Sequence, residues 1–266
     1  MGELVFIGLG LHDEKGISLK GLEEAKKADE AFIELYTSLM PNLSIRNLEN
    51  TIGKKLQKIS RKQLEEDNGE VILDAAQKGK TIFFVPGDPF IATTHITLRL
   101  NAEKRGIRTR VIHGASIISA IIGLSGLHNY KFGKTVTIPF PRATLLDTCY
   151  NVISQNKNHG LHTLCLLDIN VEENRFLSIR EGLESLLKVE NEKRERIMNM
   201  ETLAVGIARA GSNHPTVKAG YVKELLKYDF GKPPYSLVFP GELHFMEVES
   251  LIVLAGAPET LREIAK

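Results

Sequence analysis

Leu4-Val5-Phe6-Ile7-Gly8-Leu9-Gly10-Leu11 decides how the rest of the chain is read. Leu4 to Ile7 form a strand-like apolar run, and two glycines follow at its carboxyl end. A glycine there lets backbone pass close to a neighbour or a ligand, because no side chain blocks the approach. Working outward, short β-rich runs alternate with helical patterns along the whole chain, which is the signature of α/β layering around mostly parallel sheets. In the first half, strands are expected at residues 4–8, 31–35, 81–85 and 109–112, with helices at 19–28, 71–78 and 94–105. In the second half, strands are expected at 135–138, 163–168, 202–207 and 236–239, with helices at 179–190, 219–227 and 244–255.

Ser178-Ile179-Arg180-Glu181 has the spacing of a capping box, and Leu183, Leu186 and Leu187 then share one helix face. The stretch Gly126-Leu127-His128-Asn129-Tyr130-Lys131-Phe132-Gly133 interrupts the alternation. A domain boundary is placed there, giving an N-terminal α/β domain over residues 1–131 and a C-terminal one over 132–266. The expected fold is therefore two α/β domains with mixed, mostly parallel sheets and a ligand cleft between them.

Composition narrows the field. The 266 residues are 42% hydrophobic and 25% charged, enough to bury a full core. A net charge of +1 argues against a general nucleic-acid binder, which carries a basic excess. No apolar run approaches the ~20 residues of a membrane span, so the chain is expected to be cytoplasmic, with no membrane partner. Cys149 and Cys165 read as small buried residues of a helix and a strand, forming neither a disulfide framework nor a zinc site. His159 and His162 lack a third ligand nearby, and no metal is expected.

Three loops carry the chemistry. In the first, a dinucleotide fingerprint would need glycine where Asp13 stands, so that reading fails. The second is Val85-Pro86-Gly87-Asp88-Pro89-Phe90, where two prolines stiffen a turn that holds Asp88 at the carboxyl edge of a strand. The third is Ile112-His113-Gly114-Ala115-Ser116-Ile117, where a strand ends, a glycine turns the chain and Ser116 can cap a helix. A turn without a ligand would account for each loop singly. If the strands are neighbours, the three describe one pocket.

These motifs, in this order, resemble the tetrapyrrole-methylase superfamily, whose members bind S-adenosyl-L-methionine between two α/β domains. Several further stretches are similar to its diphthine synthase subfamily. They are Glu34-Leu35-Tyr36-Thr37-Ser38-Leu39, Gly87 through His95, Gly126 through Gly133, Gly160 through Asp168, Ala208-Arg209-Ala210-Gly211-Ser212 and Pro240-Gly241-Glu242-Leu243-His244. The resemblance implies cofactor contacts at Leu9, Asp88, Ile91, Ser116, Ile117, Leu167, Ala210 and His244, with S-adenosyl-L-homocysteine as product. It also implies a homodimer. The implied reaction is methylation of the amine of an aminocarboxypropyl-histidine on translation elongation factor 2, giving diphthine in diphthamide biosynthesis.

Such an amine must lose a proton before it attacks, and Asp88, His113 and His244 are the candidate acceptors. Arg209, beside Ala210, is the candidate for a bidentate contact with the substrate carboxylate. Two other readings stay open: a methylase of a corrin or porphyrin precursor, and a nucleotide-binding regulator without chemistry.

Overall fold

A computed structural model describes residues 2–141 and 143–263, with the backbone alone for 143–145. The chain divides into two compact units, Met1–Ile117 with Val171–Glu173, and Ile118–Asn170 with Asn174–Lys266.

The first unit follows the βαβ pattern. Its elements are β1 (Glu3–Gly8), α1 (Leu19–Lys26), β2 (Glu30–Glu34), α2 (Ile45–Ile52), β3 (Gln57–Ile59), α3 (Glu70–Lys78), β4 (Lys80–Val85), α4 (Ile96–Lys104) and β5 (Arg108–Ile112). The strands run in the order β3-β2-β4-β1-β5, and every pairing is parallel. Such a sheet is covered on both faces, which is why its central strands are unbroken apolar runs. Successive side chains point to opposite faces. Leu4, Phe6, Phe83 and Val85 pack with Ile72, Leu73 and Ala76 of α3 and with Leu98 and Ala102 of α4. Val5, Ile7, Ile82 and Phe84 pack on the other side with Ala25 of α1 and with Leu48 and Ile52 of α2. Burying one such side chain contributes roughly 1.5–3 kcal/mol, so these two layers are the principal stabilisation of the unit.

Local chemistry fixes the helix ends. Ser18 Oγ accepts from Gly21 N at 3.1 Å, and Ser44 Oγ accepts from Asn47 N at 3.2 Å. Each satisfies an amide that its helix leaves without a partner. Gly53 ends α2 in the left-handed region at φ 73.

After α5 (Ile117–Ser125), the second unit contains β6 (Val136–Ile138), α6 (Ala143–Asn158), β7 (Thr163–Leu167), β8 (Ile169–Asn170), β9 (Arg175–Phe176), α7 (Ile179–Lys193), β10 (Leu203–Ala208), β11 (Thr216–Tyr221), α8 (Val222–Leu225), β12 (Tyr235–Phe239) and α9 (Phe245–Ala255). Its main sheet runs β11-β10-β12-β7-β6. Only β6 and β7 are parallel in it; the other three pairings are antiparallel. The mixed character expected of the sheets therefore lies in this unit, and the parallel character mainly in the first. Leu183 and Leu186 of α7 and Tyr150 and Ile153 of α6 pack over Cys165, Leu237 and Ala204. Cys149 and Cys165 are both buried.

The helix expected over 219–227 is corrected. Residues up to Tyr221 form an edge strand paired with β10, and only Val222–Leu225 are helical. Pairing with β10 overrides local propensity here, since strand formation depends on the neighbour as well as on the residues.

Candidate functional site

The first-unit strands β4, β1 and β5 are neighbours in the sheet, so their carboxyl ends bring three turns together. A Cβ on Gly8 would lie 2.5 Å from both Gly114 N and Gly87 O. One on Gly114 would lie 2.4 Å from Gly87 O. Side chains at Gly8 and Gly114 are thus excluded by backbone, which cannot give way cheaply. Gly10 and Gly87, at φ 75 and 69, form an isolated bridge: Gly87 N donates to Gly10 O at 2.7 Å, and Gly10 N to Gly87 O at 3.2 Å. A Cβ on Gly87 would meet only Leu11 Cδ2, at 3.9 Å, so that side of the turn is open.

The expected first-unit residues take distinct positions on this edge. Leu9 is fully buried in the core, so only its backbone can face a ligand. Ile91 is 36% exposed and offers an apolar surface. Ser116 and Ile117 stand at the start of α5. Asp88 is buried; its Oδ1 accepts from Phe90 N at 3.1 Å, and its Oδ2 lies 2.7 Å from His113 Nδ1. A carboxylate has about four acceptor positions, so Asp88 keeps capacity for a ligand hydroxyl.

His12 is a residue that sequence reasoning passed over. Its Nε2 lies 2.9 Å from the Asn42 amide nitrogen, and its Nδ1 is buried with no partner. Because the amide must donate, Nε2 accepts and Nδ1 carries the hydrogen. A buried donor left without an acceptor is costly. Together with the open Gly87, the carboxylate and the apolar Ile91, it fits a polar nucleoside ligand at this edge. The only signal in the sequence was its position one residue past the glycine turn.

Beneath the Asp88 loop lies a second buried group. Glu34 at the end of β2 accepts from Tyr36 N at 2.9 Å and Thr37 N at 3.0 Å, and its Oε1 lies 3.9 Å from His95 Nε2. His95 Nδ1 is 3.1 Å from Pro89 O. Burial raises the Glu34 carboxyl and lowers His95 to about 4, so both are driven toward neutral forms.

In the second unit, Leu167 ends β7, and Ala210 follows β10. The registers Ala208↔Tyr235 and Ser236↔Leu166 put both at one sheet edge, together with the start of β12. Tyr235 shares that edge and was not foreseen. His244 lies beyond the opposite end of β12, where Phe239 pairs with Thr163, so the structure does not bring it to Leu167 and Ala210. It heads α9 instead: its Nδ1 accepts from Met246 N at 3.3 Å, and its own N donates to Glu247 at 2.8 Å.

Glu247 gathers the neighbouring loops. It accepts from His128 N at 2.8 Å and from Lys131 Nζ at 2.6 Å, and lies 2.8 Å from His162 Nε2. Burial opposes its ionisation, but these donors hold it at about 2. His162 is thus part of a buried network. Among the described residues no group of three or more His, Cys, Asp or Glu is arranged to hold a metal.

Arg209, expected to meet a substrate carboxylate, has internal partners. It sits at φ 54, its Nη1 donates to Phe230 O at 2.9 Å and to Lys232 O, and its Nη2 to Thr216 Oγ1 at 2.5 Å. The guanidinium clamps the turn before β12 onto β11. These bonds take up three of the five N–H groups of the fork.

The chain is similar to known proteins over nearly its whole length. The family model described as Tetrapyrrole (Corrin/Porphyrin) Methylases matches residues 3–226. The chain is 49% identical to the diphthine synthase of Methanosarcina mazei over 266 residues, covering 98% of each chain. It is 45% identical over 251 residues to that of Methanocaldococcus jannaschii, covering 93% of this chain and 97% of the relative. A crystal structure of diphthine synthase matches with a TM-score of 0.88 at 41% identity, covering 99% of this chain and 100% of the other.

Proposed function

This chain belongs to the tetrapyrrole methylase family, and from that premise we propose that it is an S-adenosylmethionine-dependent methyltransferase of the diphthine synthase kind, acting in diphthamide biosynthesis. One observation carries the reading: three glycine turns meet at the carboxyl edge of a parallel sheet, where ligands bind in open α/β folds, in a chain that matches diphthine synthases over nearly its whole length. A methylase of corrin or porphyrin precursors would share the family but not that extended similarity.

The acceptor in this reading is the amine of an aminocarboxypropyl-histidine on translation elongation factor 2, and the enzyme works as a cytoplasmic homodimer, as the resemblance implies. The bound cofactor supplies an electrophilic methyl group on a sulfonium. The chain's own residues bind and orient it: Leu9 through its backbone, Asp88 by accepting from a hydroxyl, Ile91 as an apolar wall, and Ser116 and Ile117 at the start of α5. From the second unit the reading adds Leu167 and Ala210. His244 and Arg209 are left out, since the first heads α9 and the second holds a turn. Orientation of two reactants in line can lower a barrier by roughly 7–11 kcal/mol, which makes positioning the main contribution asked of these residues.

The test is transfer of labelled methyl from S-adenosylmethionine to purified elongation factor 2, with and without its aminocarboxypropyl group. Label is expected only on the modified factor. Label on a corrin precursor instead, or no calorimetric response to S-adenosylhomocysteine, would overturn the assignment.

A further inference from the structure

An aliphatic ammonium holds its proton at neutral pH and has no lone pair with which to attack a methyl carbon. A group at the site must take that proton. Resting on the methyltransferase reading above, we propose that His113, oriented by Asp88, accepts the proton of the acceptor amine through Nε2.

Geometry supplies the case. Asp88 Oδ2 lies 2.7 Å from His113 Nδ1. The carboxylate can only accept, so Nδ1 carries the hydrogen and Nε2 keeps its lone pair. The Asp88 side chain is 8% exposed while that of His113 is 76% exposed, and Nε2 has no partner among the described residues. A buried carboxylate thus holds an imidazole whose basic nitrogen remains accessible. Backbone fixes the two against each other. Gly87, before Asp88, is tied to Gly10 by two hydrogen bonds, and Gly114, after His113, lies so close to Gly87 O that no Cβ fits between them.

Other titratable groups nearby have their own partners. On the loop after β1, His12 meets Asn42, Asp13 accepts from Lys15 N, and Glu14 accepts from Ser44 N and Asn47. On β5, Arg110 donates to Glu24, and behind the Asp88 loop His95 meets Pro89 O. Helix α5 carries no ionisable side chain. Asp88 is therefore the charged group that addresses the imidazole.

In the reaction, an N–H bond of the ammonium breaks and its proton bonds to Nε2, leaving an imidazolium paired with Asp88. The freed lone pair forms the N–C bond, and the C–S electron pair returns to sulfur, leaving a neutral thioether. The proton leaves the exposed ring to water. Each further methylation removes one more N–H proton by the same route.

The experiment is a single-turnover measurement of methyl transfer to aminocarboxypropyl-modified elongation factor 2 from pH 6 to 10, for wild type, His113→Gln and His113→Asn. Both variants should melt with wild type and keep its calorimetric affinity for S-adenosylhomocysteine, and Asn keeps a donor toward Asp88. At pH 7 both should transfer about 100-fold more slowly, the loss associated with removing a positioned base. The deficit should close as pH rises and the amine deprotonates by itself. Variants as fast as wild type, or a deficit independent of pH, overturn the proposal while leaving the methyltransferase reading intact. A wild-type protein that transfers no methyl overturns both.

Discussion

Glu34 and His95 face each other at 3.9 Å with both side chains fully buried, and the pair sets how the Asp88 loop responds to acid. His95 is lowered by burial to about 4 from an ordinary 6.5. Below pH 6.5 the unfolded chain takes up a proton that the folded protein refuses, so stability is lost as pH falls from 6.5 toward 4, by about 3 kcal/mol. Glu34 has the opposite sense: its carboxyl is raised by burial, so its contribution is held below 4.5 and lost as pH rises above that. Urea unfolding at pH 6.5 and 4.5 should show a much smaller acid loss for His95→Gln than for wild type. Equal losses would mean that His95 does not refuse the proton. At this scale the glycine turns and Asp88 were legible, because turn chemistry is local. The link from Asp88 to His113, and that from His95 to Glu34, were not, because neither spacing in sequence announces which strands become neighbours. For the same reason His113 was one candidate among three before the structure selected its carboxylate partner.

Two elements differ in how far local sequence specified them. The start of α7 was readable: Ser178 Oγ accepts from Glu181 N at 3.1 Å, and Glu181 accepts from Ser178 N at 2.9 Å, as the capping-box spacing requires. Ser178→Ala should destabilise the protein by about 1 kcal/mol, seen in denaturant melts, with methyl transfer unaffected. The end of β1 was readable as a turn, but its reason was not. Gly8→Ala puts a methyl 2.5 Å from backbone on two other turns. It is expected to cost several times more than the cap and to abolish S-adenosylhomocysteine binding; a variant that binds normally would show that the three turns can separate. By contrast, α2 was missed although Ser44 and Gly53 mark both its ends and Ile45, Leu48 and Ile52 recur at helical spacing between them. The edge strand β11 read as helix because its partner β10 is what makes it a strand.

For the whole molecule, the alternation of strands and helices gave the class, and the parallel sheet of the first unit follows from it. The antiparallel half did not follow, since strand direction depends on which strands pair. Three stretches that resemble one subfamily, around His128, His162 and Gly241, meet where Glu247 and His162 join them. Glu247→Ala would leave Lys131 and His162 without their buried acceptor, a loss of roughly 3–5 kcal/mol. Calorimetry should register it as a large drop in melting temperature, and a change of less than a degree would refute the role. Because Glu247 is held at about 2 against an ordinary 4.5, its contribution exists above pH 4.5 and disappears as pH falls toward 2.

The order β4-β1-β5 has a consequence for biosynthesis. Strand β1 is flanked on both sides by strands made after it: Ile7 pairs with Phe84 and with Ile112. A nascent chain therefore carries β1 with both edges unpaired until β4 has emerged, and with one edge still unpaired until β5 has followed it, since distant pairing must await loop closure. During that interval an unpaired apolar strand is open to wrong partners. Translation arrested before residue 108 should yield a product that aggregates, whereas arrest shortly after Ile112 allows the first sheet to close.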